Sequence, residues 1–412
     1  MDRKLELNII KIYLMAFFQA AMVITAIYVP LLQGYGLTMA QVMQTQALFA
    51  LTVAVSEVPS GYLADLWGRK NTIVCGAALC AIGFSLLCFA DSYWEFMLYE
   101  LILGVGISLN SGADLALLYD TQSYLSRHES AVSNGQHISR LISLEGVAGA
   151  VAAVLASILM IWSLQWVVLI QAIVGFAPLL IALTLVESPR EISVSGHREN
   201  ATRVKAAIIE KPLVLSITLA LIVFNLAAIY GFWLYQKYWE VRGIPLTYFG
   251  YLWALHCLVR SIAARFANEV ESLFGSRLTL LLVAILNIVG LAGMALTPGL
   301  IGVYLALLLP ISRGVGSVIL YDGLNKRLTS EFRATVNSLV NLGFRSIFIL
   351  TGPLLGVLTD RYGVESSLLL LAAVFTPTFG FVLFLLFRSI REEKALVEIE
   401  EHSATSINQP IS

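Results

Sequence analysis

Charge is what this chain has least of. Asp, Glu, Lys and Arg make up 13% of its 412 residues, where a soluble domain carries about 25%. So few ionic groups cannot clothe a water-facing surface around a chain that is 58% hydrophobic, and a soluble globular enzyme is excluded. Basic excess is missing too: the formal net charge is −1, which argues against nucleic acid as a partner. Cysteine is scarce. Cys75, Cys80, Cys88 and Cys257 sit inside apolar runs without zinc-ligand spacing and are expected to be small core residues. No nucleotide-binding loop, metal-ligand cluster or nucleophile–base arrangement occurs, so no cofactor, no metal and no enzymatic chemistry are expected. The amino-terminal run MDRKLELNIIK leads into apolar sequence without a small-residue cleavage site. It reads as an uncleaved first span and not a signal peptide.

Long apolar runs are what the chain does have, and mean hydropathy is +0.81. A bilayer crossing takes about 20 mainly apolar residues. Twelve segments qualify: 9–33, 39–61, 71–90, 95–119, 136–161, 165–186, 213–236, 247–268, 278–297, 300–320, 334–357 and 365–388. Lipid-exposed spans without closed sheets must be helices, because no water satisfies open backbone groups there. The fold class is therefore an all-α membrane protein of twelve transmembrane helices. Eighteen of the 26 Lys and Arg fall on one side of this topology, and only Lys237, Arg242 and Arg361 on the other. The basic side faces the cytoplasm, which puts both termini there. A polar connection over 187–212, with a short helix expected at 201–210, separates residues 1–186 from 213–388. A cytoplasmic tail follows over 389–412.

The two halves repeat. Leu118-Tyr119-Asp120 recurs as Leu320-Tyr321-Asp322, Ser133 and Arg140 recur as Ser338 and Arg345, and Gln33-Gly34-Tyr35 as Gln236-Lys237-Tyr238. Ala47-Leu48 recurs as Ala254-Leu255, an offset of 207 that also sets Gly61, Asp65 and Gly68 on Asn268, Ser272 and Gly275. Matches that march in order imply a six-plus-six parallel duplication.

One polar loop stands out among the apolar runs: Gly61-Tyr-Leu-Ala-Asp65-Leu-Trp-Gly68-Arg69-Lys70. Read as G-x-x-x-D-x-x-G-R-K, it resembles the signature that major facilitator transporters carry between their second and third helices. The resemblance implies two six-helix bundles related by a pseudo-two-fold axis, with a substrate site between them near the bilayer midplane. It also implies alternating access and a monomer. By the same resemblance Asp65 stands against the amino-terminal end of helix 11, near Arg333 and Ala334, where a carboxylate meets a positive helix end and unpaired N–H groups. Gly61 and Gly68 would permit close backbone approach and a tight turn, and Arg69 and Lys70 would reach Asp120 or Glu187. Asp322 is the second-half counterpart of Asp120. These residues form a conformational lock; the plainer alternative is a basic loop that sets topology. Glu187-Ser188-Pro189-Arg190 resembles the P-E-S-P-R ending of sugar-transporting facilitators without its first proline, since Val186 stands there.

Ionisable groups at bilayer depth are costly and tend to be functional. The first half places Glu57, Glu100, Asp114, Arg140 and Glu145 there, and the second His256, Arg260, Arg265, Arg313 and Arg345. On a continuous helix Glu100 and Asp114 would lie about 40° apart in azimuth and about 21 Å apart in height. They are the candidates for proton coupling, since a carboxylate that changes partners between states takes up a proton on one side and releases it on the other. A fixed ion pair that only joins helices is the alternative, and the one favoured for Glu57 and Glu145. Tyr28, Tyr230, Trp233, His256, Arg260, Arg313 and Arg345 are candidates for the substrate cavity. Phe17 and Tyr304 join them as aromatic groups able to stack or bind a cation, unless they belong to the interfacial belt.

Drug–proton antiporters of the same superfamily carry R-x-x-x-G-x-G on helix 4. Glu100-Leu-Ile-Leu-Gly104-Val-Gly106 keeps the glycines with glutamate in place of arginine. Their helix-5 G-x-x-x-G-P is represented by Gly146 and Gly149 without the proline, and Gly352-Pro353-Leu-Leu-Gly356 appears on helix 11 instead. Ser111-Gly112-Ala113-Asp114 followed by Leu117-Leu118-Tyr119-Asp120 resembles a large bacterial facilitator group. The expected function is secondary active transport in the bacterial inner membrane, coupled to protons, exporting a small amphipathic or drug-like compound. Proton-coupled uptake of a polar anionic or zwitterionic metabolite is the alternative, and a transporter-like receptor a remote one.

Overall fold

Every regular element in the computed structural model is helical among its described residues, which are 2–126, 134–189 and 211–407. The helix expected at 201–210, Ser133, Arg190 and the last five residues lie outside them. The helices are α1 (Asp2–Ala20), α2 (Tyr28–Gly34), α3 (Met39–Trp67), α4 (Arg69–Leu87), α5 (Tyr93–Asn110), α6 (Ala113–Ser126) and α7 (Asn134–Leu159). Then follow α8 (Leu164–Leu183), α9 (Pro212–Val241), α10 (Phe249–Arg265), α11 (Ala267–Leu296), α12 (Leu300–Leu305), α13 (Leu308–Arg327) and α14 (Ser330–Ile407). Short 3₁₀ turns occupy Val23–Ile27 and Leu246–Tyr248.

Among the described residues nine segments are long and apolar enough to cross a membrane. One, Thr335–Glu393, has 59 residues. As a straight helix it would run nearly three times the roughly 30 Å hydrocarbon thickness. Gly363, at φ 84° and ψ 166°, breaks it. Large apolar side chains such as Val58 (81% exposed) and Leu350 (73%) point away from the protein, as lipid-facing residues do. The chain is a multi-pass all-α membrane protein.

Two spans read as continuous are interrupted. The first unwinds between Ala20 and Tyr28, and the fourth at Ser111-Gly112, where Gly112 takes φ +87°. Asp114 therefore does not continue the helix of Glu100, and the azimuth argued from an unbroken helix does not apply.

Two backbone turns recur at an offset of 207 residues. Gly36 and Gly243, 207 residues apart, both have positive φ. Gly36 N–H donates to Gln33 O and Leu37 N–H to Leu32 O; Gly243 N–H donates to Glu240 O and Ile244 N–H to Trp239 O, the same pattern at the same offset. The register here is thus 207, which corrects the offset of 203 that matched Gln33 to Gln236. Gly68 (φ 92°, ψ 150°) and Gly275 (φ 75°, ψ 152°) turn alike. Thr72 and Thr279 each return a hydroxyl hydrogen bond to that glycine's carbonyl, at 3.0 and 2.9 Å. Between these turns and the Tyr-Asp pairs the offset falls from 207 to 202, and the interruption at Ser111-Gly112 lies in that interval, where α13 runs unbroken.

The Cα positions group into two compact units. The first holds 1–193, 232–261 and 345–367; the second holds 194–231, 262–344 and 368–412. In the first, Ile12 and Met15 of α1 pack with Ala64, Ile73, Ala77, Leu117, Leu118 and Ala182. Glycine brings α4 and α5 together there: a Cβ at Gly76 would stand 2.5 Å from Asn110 Oδ1, and one at Gly106 2.8 Å from Cys80 Sγ. In the second, Phe224 meets Phe379 at 4.6 Å, and Ser312 Oγ donates to Val283 O at 2.9 Å. Only Cys80 of the four thiols is buried; Cys75 and Cys88 are exposed and Cys257 is intermediate, so the core role expected of all four holds for one.

Candidate functional site

Glu100 lies on α5, 2% exposed. Its Oε1 accepts from the Tyr28 hydroxyl and from Gln46 Nε2. It lines a cavity of about 370 Å³ with Tyr28, Gln46, Tyr99, Phe232, Trp233 and Trp253 among its walls. Among the described residues no Lys, Arg or His lines this cavity. Tyr28 stands 5.9 Å from Trp233 and 6.4 Å from Tyr99, ring centroid to centroid.

A second cavity, of about 480 Å³, is lined by Gln19, Asn110, Ser111, Asp114 and Glu145 with Phe18 and Phe84. Asp114 is in the first turn of α6, and its Oδ1 accepts from the Leu115 N–H at 2.6 Å. Ala20, Met22, Leu103 and Ile107 line both cavities. The two carboxylates thus occupy adjoining chambers, brought there by the broken fourth span. Gln46, Asn110 and Gln19 belong to these walls and were missed in the sequence; uncharged amides give no signal beyond being polar in an apolar run.

The remaining candidates disperse. His256 is buried with Nδ1 2.8 Å from Leu252 O, between the rings of Tyr235 (4.6 Å) and Trp239 (5.4 Å). It lines neither of these two chambers. Tyr230, in the second unit, packs on Phe375 at 6.1 Å. Arg260 and Arg345 are half-buried and Arg313 is exposed; none lines either chamber. Phe17 packs edge-on against Phe18 at 5.5 Å. Tyr304, 67% exposed, is a surface ring.

The polar hinge folds into a tight clip. Gly68 ends α3 with a positive φ, and a Cβ there would meet the Glu187 carboxylate at 3.1 Å. That carboxylate accepts from the N–H of Arg69 at 2.9 Å and of Lys70 at 2.8 Å, covering the start of α4. Arg69 Nη1 pairs with Asp120 Oδ2 at 2.9 Å. Asp65 is exposed at the end of α3. No described atom lies within 4 Å of where a Gly61 Cβ would stand. Asp322, of the second unit, pairs locally with Lys326 at 2.5 Å, and Arg333 Nε donates to Asn325 O at 2.9 Å.

The sequence profile described as Major Facilitator Superfamily matches residues 10–348. The chain belongs to that superfamily. The superfamily is one of transporters, and the chain is not a catalytic enzyme. Inner membrane transport protein YajR of Escherichia coli (strain K12) is 31% identical over 157 residues, 37% of this facilitator and 32% of YajR. Multidrug resistance protein MdtG of Klebsiella pneumoniae (strain 342) is 25% identical over 381 residues, covering 88% of this chain and 86% of MdtG. The crystal structure of a point mutant of the nucleoside transporter NupG superposes with TM-score 0.77 at 13% identity, over 92% of this chain and 99% of that one; at that identity the likeness concerns the fold.

Proposed function

We propose that this facilitator is a secondary active transporter of the alternating-access type, coupled to protons through Glu100, with Asp114 as a second proton site. The observation that carries the reading is Glu100 itself. An ionised carboxylate at bilayer depth is costly, and among the described residues only neutral donors reach this one. Taking a proton relieves that cost, and a change of donors between states releases the proton again. One proton crossing 100 mV supplies about 2.3 kcal/mol, enough for a roughly fifty-fold solute gradient.

This reading takes twelve crossings: the nine segments, with Thr335–Glu393 counted twice for its break at Gly363, the shorter apolar helix Ser143–Leu159, and Phe249–Arg265, a 17-residue helix that carries His256, Arg260 and Arg265. Two six-span halves, 1–186 and 213–388, joined by 187–212, follow from the 207-residue register. On this reading both termini are cytoplasmic, as the Lys and Arg asymmetry favours, and the protein works as a monomer in a bacterial inner membrane.

Uptake of a polar metabolite is the first reading of direction. Gln46, Gln19 and Asn110 furnish hydrogen-bonding groups, and the absence of Lys and Arg among the described residues of both chambers favours a neutral or zwitterionic solute over an anion. Export of an amphipathic compound is the second, favoured by the relation to MdtG along most of both chains. The test is proton movement in dye-loaded proteoliposomes on addition of uridine, xylose or ethidium. Glu100→Gln is expected to abolish the coupled signal and leave folding intact; a normal signal in that variant would remove Glu100 from the mechanism. The sign of the pH change that accompanies solute accumulation separates symport from antiport.

A further inference from the structure

One hydrogen bond of the first span has been taken over by a side chain from another helix. Thr25 O and Val29 N–H are four residues apart, an acceptor–donor pair of a regular α-helical turn. Here Val29 N–H donates to Gln236 Oε1 at 2.9 Å, and Gln236 Nε2 donates to Thr25 O at 2.9 Å. The primary amide of Gln236, on α9, is inserted into the helical ladder. Such insertion is a recognised cause of a sharp helix break. Gln236 is fully buried, and an amide can donate and accept at once in such a gap. Gln171 takes the neighbouring Ile24 N–H at 3.3 Å.

Tyr28 lies between the two bridged residues, and its hydroxyl donates to Glu100. Its ring contacts Trp233, three residues before Gln236 and so on the same face of α9. That helix thus grips Tyr28 twice, by the ring and through the backbone on either side.

We propose that Gln236 is a positioning residue for Glu100. Its amide keeps the first span unwound so that the Tyr28 hydroxyl reaches the carboxylate. Its withdrawal lets the Thr25–Val29 hydrogen bond close and takes Tyr28 away. Neither backbone group is orphaned by the exchange, because each is the other's natural partner. The backbone of the first span therefore has two satisfied arrangements, as a bistable switch requires. The hydrogen-bond supply to Glu100 then follows the position of α9. The inference rests on the reading of Glu100 as the proton-coupling group. The titratable groups that line the chamber with Glu100 are Tyr28 and Tyr99; Gln46 and Thr25, its other polar walls, do not ionise.

Difference infrared spectroscopy on the full chain in nanodiscs, stepped in pH, reads the protonated carboxyl band, and Glu100→Gln identifies it. Tyr28→Phe is expected to move that band to higher frequency, as a carboxyl does when it loses a donor. Gln236→Met, apolar and of similar length, is expected to move it in the same direction. Gln236→Asn, whose amide is too short to span the gap, should do likewise, and it carries the test if the methionine variant does not fold. A band that stays in place in the Gln236 variants while Tyr28→Phe shifts it overturns the proposal. The two ideas fail separately. Proton-coupled flux surviving in Glu100→Gln sinks the coupling role even if the band moves. Flux lost in Glu100→Gln with a static band in the Gln236 variants sinks the bracket alone.

Discussion

Among the described glycines, Gly250 has the closest neighbour to its Cβ position. A Cβ there would stand 1.9 Å from Ala153 O and 2.6 Å from Ser157 Oγ. The backbone of α10 lies directly on that of α7 at this point, and Tyr251 N–H donates to Ser157 Oγ at 3.0 Å. Backbone cannot step aside as a flexible side chain can. Gly250→Ala is therefore expected to destabilise by about 3 kcal/mol, at the upper end of overpacking costs, and to lower the thermal midpoint in detergent. Gly146, on α7, has nothing described within 4 Å of its Cβ position. Gly146→Ala should leave the midpoint level or raise it, since alanine is favoured over glycine in a helix by about 1 kcal/mol. Equal behaviour of the two variants would contradict the close approach at Gly250.

At the scale of elements, the start of α3 carries a clasp. The carboxylate of Asp360 accepts from the N–H groups of Met39 and Ala40, each at 2.8 Å. It covers orphan donors of a helix start and meets the positive end of its dipole. Gly356, one turn earlier on α14, lets the two backbones touch: its Cβ would be 2.6 Å from Ala40 Cα. Asp360→Ala should cost about 1 kcal/mol, as loss of a helix cap does. Spin labels at Tyr35 and Tyr362 should then show an added, longer distance; an unchanged distribution would count against the clasp.

The apolar helices, the glycine hinge and the recurrence of its turn at Gly275 were legible in the sequence because they are local or periodic. The break in the first span had a local sign as well. Pro30 stands third in α2, where its missing N–H costs nothing, and Pro310 stands third in α13 in the same way. The partners of Glu100 were not legible. Tyr28 and Gln46 are 72 and 54 residues away, and no local pattern ties them to it. Nor could core be told from surface in these helices, because lipid and protein interior are both apolar. That is why Cys75 and Cys88 were misplaced.

At the scale of the whole molecule, transport requires that two arrangements of one chain be nearly equal in free energy. We propose that the hinge lets one carboxylate, Asp65, weigh on that balance. Glu187 covers the start of α4, and Asp120 holds Arg69, so the loop after Gly68 is tied down within its own unit. Asp65 ends α3 just before this clip. The superfamily resemblance sets it against the amino-terminal end of the eleventh span in the outward-facing state. A carboxylate in that position contributes about 0.3–2 kcal/mol through the helix dipole. Its loss therefore changes the population ratio between roughly two-fold and thirty-fold. Asp65→Asn keeps the size and removes the charge, so it should shift the protein toward the inward-open form by a factor in that range. Alkylation of a single cysteine placed at Tyr35, in a background lacking the four native thiols, should slow accordingly. A rate equal to that of the parent would show that the carboxylate does not set the balance, and that the hinge serves topology alone.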